Sequence, residues 1–380
     1  MNDKNFCSLP FTEIFLGPDG LIKTCCSAKD SIGNLHTNSI EEILHSDKAR
    51  EIRQYIIGGQ WHENCDQCKN QEQLNSRSER YNNYIEFKSK HNKINKNTFS
   101  LERLDLRWSN TCNLNCVYCY EYFSSKWAEI KGIKVNTIKE ENENTLFLLI
   151  EKHRENIQSI LMLGGEPFLQ KQNNKLLDIL PDHGFYVLSN LAIPLRKNKI
   201  AEKILNAPSS VIGVSFETVD KRFEYVRRGA NWDTFCDNIS YIKNNFPYKK
   251  LESHSLYSIY SAFNLVEFYD FIVEHNFNNV FWNVLNSSGY NALANPALLP
   301  KKIKDRAVEE IDAVLEKYPG VHGTEELLKI KNNMSDQKKF FKKNNSKIFL
   351  EEISILEKKL VDDNLKFSDI WPDLYKELLQ

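Results

Sequence analysis

The sequence has no long apolar run, no strong charge of either sign, no internal repeat and no long low-complexity segment. No stretch of its 380 residues approaches the ~20 consecutive apolar positions of a membrane-spanning helix, so no membrane association is expected. The formal net charge is −1, which leaves no overall field to draw nucleic acid or an anionic membrane surface. The local pairs Lys338-Lys339 and Lys342-Lys343 are explained at least as well by a solvated helix face. The opening Met1-Asn2-Asp3-Lys4-Asn5-Phe6-Cys7 lacks the cationic-then-apolar order of a secretory leader, and a cytoplasmic location is expected. What the chain does have is nine cysteines. Without a leader these read as ligands more readily than as disulfide partners. The length fits one barrel plus an appendage.

Three of the cysteines lie in Thr111-Cys112-Asn113-Leu114-Asn115-Cys116-Val117-Tyr118-Cys119-Tyr120, spaced four and then three apart. Thiolates this close on one loop can hold three corners of an iron–sulfur cube, because each iron takes a soft sulfur ligand. No fourth Cys follows within reach, which leaves one iron an open position for a small molecule. The other reading is a zinc loop. Zinc fingers pair Cys at close spacing and then pair again with Cys or His, and no second pair follows at such spacing. With the aromatic Tyr118 just before the last Cys, the pattern resembles the signature of the radical S-adenosylmethionine (radical SAM) superfamily. The resemblance implies a 4Fe–4S cluster on Cys112, Cys116 and Cys119. Its fourth iron would be chelated by the amino and carboxylate groups of S-adenosylmethionine.

From residue 101 short apolar runs alternate with amphipathic helical stretches, as parallel strands with crossover helices do. The expected strands are Leu104–Trp108, Ile160–Leu163, Phe185–Ser189, Val211–Phe216, Leu256–Tyr260 and Val280–Val284. The expected fold is therefore α/β, with a partial (βα)6 TIM-like barrel over 101–300 and a helical C-terminal extension over 301–380. Ligands of such barrels collect at the C-terminal ends of the strands, and the remaining motifs fall there. Gly164-Gly165-Glu166-Pro167 lets the backbone pass close to a ligand and resembles the superfamily segment that accepts hydrogen bonds from the cofactor's ammonium. Asn190 carries donors and acceptors suited to a ribose or carboxylate, with loop capping as the alternative. Ser215 and Glu217 stand where relatives carry Ser-x-Asp against the ribose. In Tyr225-Val226-Arg227-Arg228-Gly229 the resemblance places an Arg on the cofactor carboxylate, which suits a guanidinium fork, and does not choose between Arg227 and Arg228. Cys236 reads most simply as a small buried apolar residue, with a hydrogen-atom donor thiol as its other role. His254, Tyr257, Tyr260, Phe281, Trp282 and Asn283 are candidates to face substrate.

Residues 1–75 carry Cys7, Cys25, Cys26, Cys65 and Cys68. Phe15-Leu16-Gly17-Pro18-Asp19-Gly20-Leu21-Ile22-Lys23 reads as a β-hairpin that brings Cys7 towards the Cys25–Cys26 pair. Ser39 followed by Glu42 is a capping box opening a helix, which Gly58-Gly59 stops. Residues 76–100 read as a helical linker. A first Cys, a Pro-Asp-Gly hairpin, a Cys pair, Ile-Gly-Asn-Leu, a helix and a closing Cys-x-x-Cys resemble the SPASM/twitch domain, which implies auxiliary iron–sulfur clusters. Five cysteines permit one filled cluster, so one auxiliary 4Fe–4S cluster is expected on Cys7, Cys26, Cys65 and Cys68, with Cys25 the alternative to Cys26. The competing reading is a four-Cys structural zinc site.

The resemblance thus implies an enzyme that cleaves S-adenosylmethionine reductively and abstracts a hydrogen atom from substrate. It implies an electron donor such as flavodoxin or ferredoxin. The substrate expected first is a peptide, in an oxidative or rearranging modification. The alternatives are a small metabolite (sugar, nucleotide or amino acid) and a non-catalytic iron–sulfur sensor or scaffold.

Overall fold

A computed structural model describes residues 5–74, 77–87, 98–134, 138–284, 292–336, 345–360 and 365–380. The chain divides into two compact units: Met1–Thr111 with Val135–Val187 and Ala207–Ser210, and Cys112–Lys134 with Leu188–Asn206 and Val211–Gln380.

In the first unit β1 (Glu13–Leu16) and β2 (Leu21–Lys23) form the expected antiparallel hairpin, with Phe15 opposite Lys23. Asp19 Oδ1 accepts the Leu21 N–H at 3.2 Å. Gly20 sits at φ +77°, and a Cβ there would lie 2.8 Å from the His36 ring, so only glycine closes this turn. β3 (Gly33–Asn34) pairs with β2. The other edge of the hairpin is not free. β1 runs parallel to β4 (Arg103–Leu106), Glu13 opposite Arg103 and Leu16 opposite Leu106, and β4 is followed by β5 (Ser159–Met162) and the start of β6 (Tyr186–Ser189). The cysteine-bearing segment therefore shares one sheet with the first barrel strands. An edge strand's open N–H and C=O groups favour such pairing.

Ser39 and Glu42 form the capping box. The single helix expected after it is two, Ile40–Leu44 and Asp47–Ile57, because the Ser46 side chain accepts the Ala49 N–H and starts a new helix. Within 76–100, Glu79–Phe87 is helical; residues 76 and 88–97 lie outside the described residues.

In the second unit β7 (Val211–Ser215), β8 (Lys250–Tyr257) and β9 (Asn279–Val284) are parallel neighbours, with Ser215, His254 and Phe281 in one row. The helices Asp220–Val226 and Trp232–Asn245 connect β7 to β8, and Leu265–Glu274 connects β8 to β9. The strand expected at Leu256–Tyr260 starts at Lys250 and ends at Tyr257 instead. Its buried face includes Ser253 and Ser255, so apolar character understates the strand. The C-terminal helices Asn345–Lys359, Phe367–Ile370 and Pro372–Leu378 pack with Val117, Trp127, Tyr225 and Tyr260 in one apolar core. There the Trp371 ring meets Tyr225 at 5.2 Å and Phe367 at 5.1 Å. Among the described residues no helix is long and apolar enough to cross a membrane.

Candidate metal centres and cofactor surfaces

In the first unit Cys7, Cys25, Cys65 and Cys68 line one cavity, walled also by Trp61 and Arg80. Cys65 caps the helix Asp66–Gln73 and Cys68 lies in its first turn, so the Cys-x-x-Cys spacing sets both sulfurs on one face. Cys26, the residue expected as ligand, is exposed and does not line the cavity, whereas Cys25 does. Burial pushes Cys7 and Cys25 well above the usual thiol range and Cys65 to about 11; neighbouring thiols push each of the three further. Such sulfurs become thiolates only when a strong cation offsets the lost hydration. Among the described residues no three His, Cys, Asp or Glu side chains converge on one metal-ion position.

A charged ladder on the same sheet escaped the sequence reading. Arg103, Asp105 and Arg107 alternate with buried Leu104, Leu106 and Trp108 on and just past β4, a period of two, and Glu13 of β1 stands opposite Arg103. Glu13 ion-pairs with Arg103 at 3.1 Å, and Arg107 reaches Asp105 at 3.3 Å while its guanidinium stands 4.5 Å over Phe15. Burial, opposed by Arg103, raises the Glu13 carboxyl to about 8.

Gly164 and Gly165 follow β5 at φ +72° and +49°. A Cβ on Gly165 would stand 2.2 Å from the Thr111 carbonyl oxygen and one on Gly164 2.6 Å from Arg107 Cβ, so both positions demand glycine. Glu166 is fully buried, its carboxylate accepting the Phe168 N–H at 3.2 Å and its own N–H donating to Thr111 O at 2.8 Å. Pro167 begins the short helical turn that follows.

In the second unit the cysteine loop is held from several sides. Cys112 N donates to Ser125 Oγ at 3.1 Å and Trp127 Nε1 to Cys116 O at 3.0 Å. Asn190 Nδ2 donates to Asn113 Oδ1 at 2.9 Å and lies 3.9 Å from Cys112 Sγ, so Asn190 does come to the loop. Two backbone bonds tie the loop to the segment after β7: Asn115 N to Arg228 O at 3.1 Å and Val117 N to Val226 O at 2.9 Å. Burial raises the Cys116 thiol and takes Cys119 to about 12; the Arg227 guanidinium opposes the shift at both.

Several expected contacts lie elsewhere. Glu217 is fully buried, one carboxylate oxygen accepting Tyr118 Oη at 2.8 Å and the other Arg227 Nη2 at 2.7 Å, so it presents nothing to a ribose. Arg228 is buried too; its guanidinium donates to Leu365 O at 2.5 Å and stands 4.3 Å over the Tyr225 ring. It anchors the C-terminal segment. Cys236 lies on the helix Trp232–Asn245 and its thiol is raised to about 12, first by burial and then by Asp220, Asp233, Asp237 and Glu274. Tyr257, Tyr260 and Trp282 are core residues: Trp282 Nε1 donates to Tyr269 Oη at 3.0 Å, and Tyr260 packs among Phe349, Phe367 and Trp371. Ser215, His254 and Phe281 share a less buried face, the His254 ring 4.9 Å from Phe281 and its pKa lowered by burial to about 4. Asn283 is exposed two residues further along β9.

Comparison with known proteins adds the following. Residues 106–259 match the radical SAM superfamily and residues 7–69 match SPASM, an iron–sulfur cluster-binding domain, together more than half of the chain. No curated protein matches the chain. Solved structures that resemble it include SuiB from Streptococcus suis bound to S-adenosylmethionine, at 17% identity and a TM-score of 0.44, covering 74% of this chain and 63% of that one. SuiB bound to its precursor peptide SuiA is similar at 17% identity and 0.43, covering 76% and 64%. The anSMEcpe structure with AdoMet and a Kp18Cys peptide is similar at 16% identity and 0.42, covering 58% and 60%. The chain thus spans less than two thirds of the length of these structures. The two domain matches fall on the two cysteine sets described above: the chain carries a radical SAM superfamily domain over residues 106–259, with an iron–sulfur cluster-binding SPASM domain ahead of it over residues 7–69.

Proposed function

We propose that the protein is a radical SAM enzyme whose Cys112, Cys116 and Cys119 hold a 4Fe–4S cluster with one iron open to S-adenosylmethionine. The observation that carries this reading is three thiols on one braced loop inside the matched radical SAM segment, with no fourth Cys on it. A cluster held by these three thiols would supply the electron for reductive cleavage of S-adenosylmethionine, and with it hydrogen-atom abstraction from substrate. Asn190, braced against Asn113, holds the loop beside Cys112. Ser215, His254 and Phe281 form the polar and aromatic row offered to substrate. On its motif alone, Gly164-Gly165-Glu166-Pro167 is assigned the cofactor's ammonium.

Cys7, Cys25, Cys65 and Cys68 hold one auxiliary 4Fe–4S cluster. Four thiols around one cavity support it, and a cluster with all irons ligated serves electron transfer and not substrate ligation. The reaction proposed is an oxidative or rearranging modification of a peptide, as the resemblance to SPASM/twitch enzymes implies; the match itself supports iron–sulfur cluster binding.

The test is anaerobic reconstitution with iron and sulfide, then dithionite and S-adenosylmethionine, with 5′-deoxyadenosine measured by chromatography. Wild type forms it; Cys112→Ala, Cys116→Ala and Cys119→Ala do not. A brown protein that never cleaves the cofactor, with any reductant, is a sensor or scaffold and ends this reading.

A further inference from the structure

Glu217 and Arg227 lie ten residues apart; Glu217 is expected at the cofactor's ribose, and either Arg227 or Arg228 at its carboxylate. The fold buries them against each other instead. Arg227 Nη2 donates to Glu217 Oε2 at 2.7 Å, and Tyr118 Oη donates to Glu217 Oε1 at 2.8 Å. The Arg227 guanidinium stands 5.5 Å over the Tyr118 ring, and its charge works against the burial that raises the Cys116 thiol. These four groups come from two segments only, the cysteine loop and the stretch 217–227.

The backbone keeps them in register. Val117 N donates to Val226 O and Asn115 N to Arg228 O, at 2.9 and 3.1 Å, one bond on either side of Cys116 and of Arg227. Gly229 makes the approach possible: it sits at φ +90°, and a Cβ there would already press on Asn113 O at 3.3 Å. Arg227 Nε is buried with no hydrogen-bond partner among the described residues. The guanidinium is thus not consumed by its carboxylate partner.

We propose that the Tyr118–Glu217–Arg227 network is a positioning device that fixes Cys116 and sets the reduction potential of the cluster on the 112–119 loop. The inference rests on that cluster being present, as proposed above. A reduced cluster carries one more negative charge than an oxidised one, so a cation and N–H donors at a ligating sulfur favour reduction and raise the potential. Glu217 opposes this with its own charge and at the same time holds the guanidinium in place. Tyr118 fixes the carboxylate from the other side. In a buried setting these charges act at close range with little screening.

The test is an EPR-monitored redox titration of reconstituted wild type, Arg227→Gln, Arg227→Lys and Glu217→Gln, with iron counted per chain. The signal that disappears in Cys112→Ala identifies this cluster. Arg227→Gln shifts its midpoint to more negative potential, Glu217→Gln shifts it to more positive potential, and Arg227→Lys, which keeps the charge but not the fork, falls between Arg227→Gln and wild type. Variants that load iron fully and titrate with wild type overturn the proposal, as do shifts of the same sign in Arg227→Gln and Glu217→Gln. Should Arg227→Gln fail to load, the signs of the Glu217→Gln and Arg227→Lys shifts decide by the same criterion. A wild-type protein with no signal dependent on Cys112 is a different failure: it removes the proposed cluster itself.

Discussion

Cys25 and Cys26 are consecutive in the chain and meet opposite surroundings: Cys25 lines the cavity bordered by Cys7, Cys65 and Cys68, and Cys26 is exposed. Cys25→Ala is expected to lose the auxiliary cluster's iron on reconstitution, while Cys26→Ala keeps wild-type iron and sulfide. Iron analysis and the visible absorption of the two variants check this. The reverse pattern would return the ligand to Cys26.

Gly165 tests the backbone at the end of β5. Gly165→Ala combines a left-handed φ, worth about 1–2 kcal/mol for a residue with a Cβ, with a Cβ 2.2 Å from Thr111 O. A loss of about 2–4 kcal/mol is expected, in the range of severe core substitutions. Gly132 is the control. It has φ +65° with nothing within 4 Å of its Cβ position, so Gly132→Ala costs only the strain, about 1–2 kcal/mol. Equal costs in urea denaturation contradict the steric account.

Glu13 gives the stability a pH slope. Its folded pKa, raised to about 8 by burial against the help of Arg103, lies above the unfolded value. The folded state therefore holds the extra proton, and stability falls as pH rises from about 4.5 to about 8. Glu13→Gln removes that slope, so the stability difference between variant and wild type moves in the variant's favour across this window, by on the order of a few kcal/mol, whatever offset the lost Arg103 pair sets. Urea midpoints at pH 6 and pH 8.5 read it; a difference that does not move refutes it.

Trp371 joins the C-terminal helices to the core under the cysteine loop, touching Tyr225, Tyr260 and Phe367. Trp371→Ala is expected to cost about 3–5 kcal/mol and to lower iron on the 112–119 loop, since Val117 and Trp127 share that core. Unchanged stability would mean the C-terminal helices are not part of the core.

What could be read ahead of the structure was what is local. Three thiols at fixed spacing, a Pro-Asp-Gly hairpin, a Ser39–Glu42 capping box and a double glycine each depend on a few neighbouring residues, and each keeps its form in the fold. The strands were legible where their buried residues are apolar. They were misplaced at β8, where Ser253 and Ser255 fill the buried face. Arg103, Asp105 and Arg107 alternate plainly, yet charge inside a strand was not taken as a signal.

The sequence by itself determined the chemistry: which residues carry sulfur, how they are spaced and, from that, the kind of group they hold. Only the tertiary structure decided which side chains reach it. Whether Cys25 or Cys26 faces the cavity depends on how the chain leaves β2. Whether Glu217 and Arg227 face a cofactor or each other depends on how the segment after β7 packs under the loop. Spacing along a chain fixes only neighbours within a turn or two; burial and partner choice arise from contacts between segments distant in sequence, where the cost of an unpaired buried charge selects one arrangement.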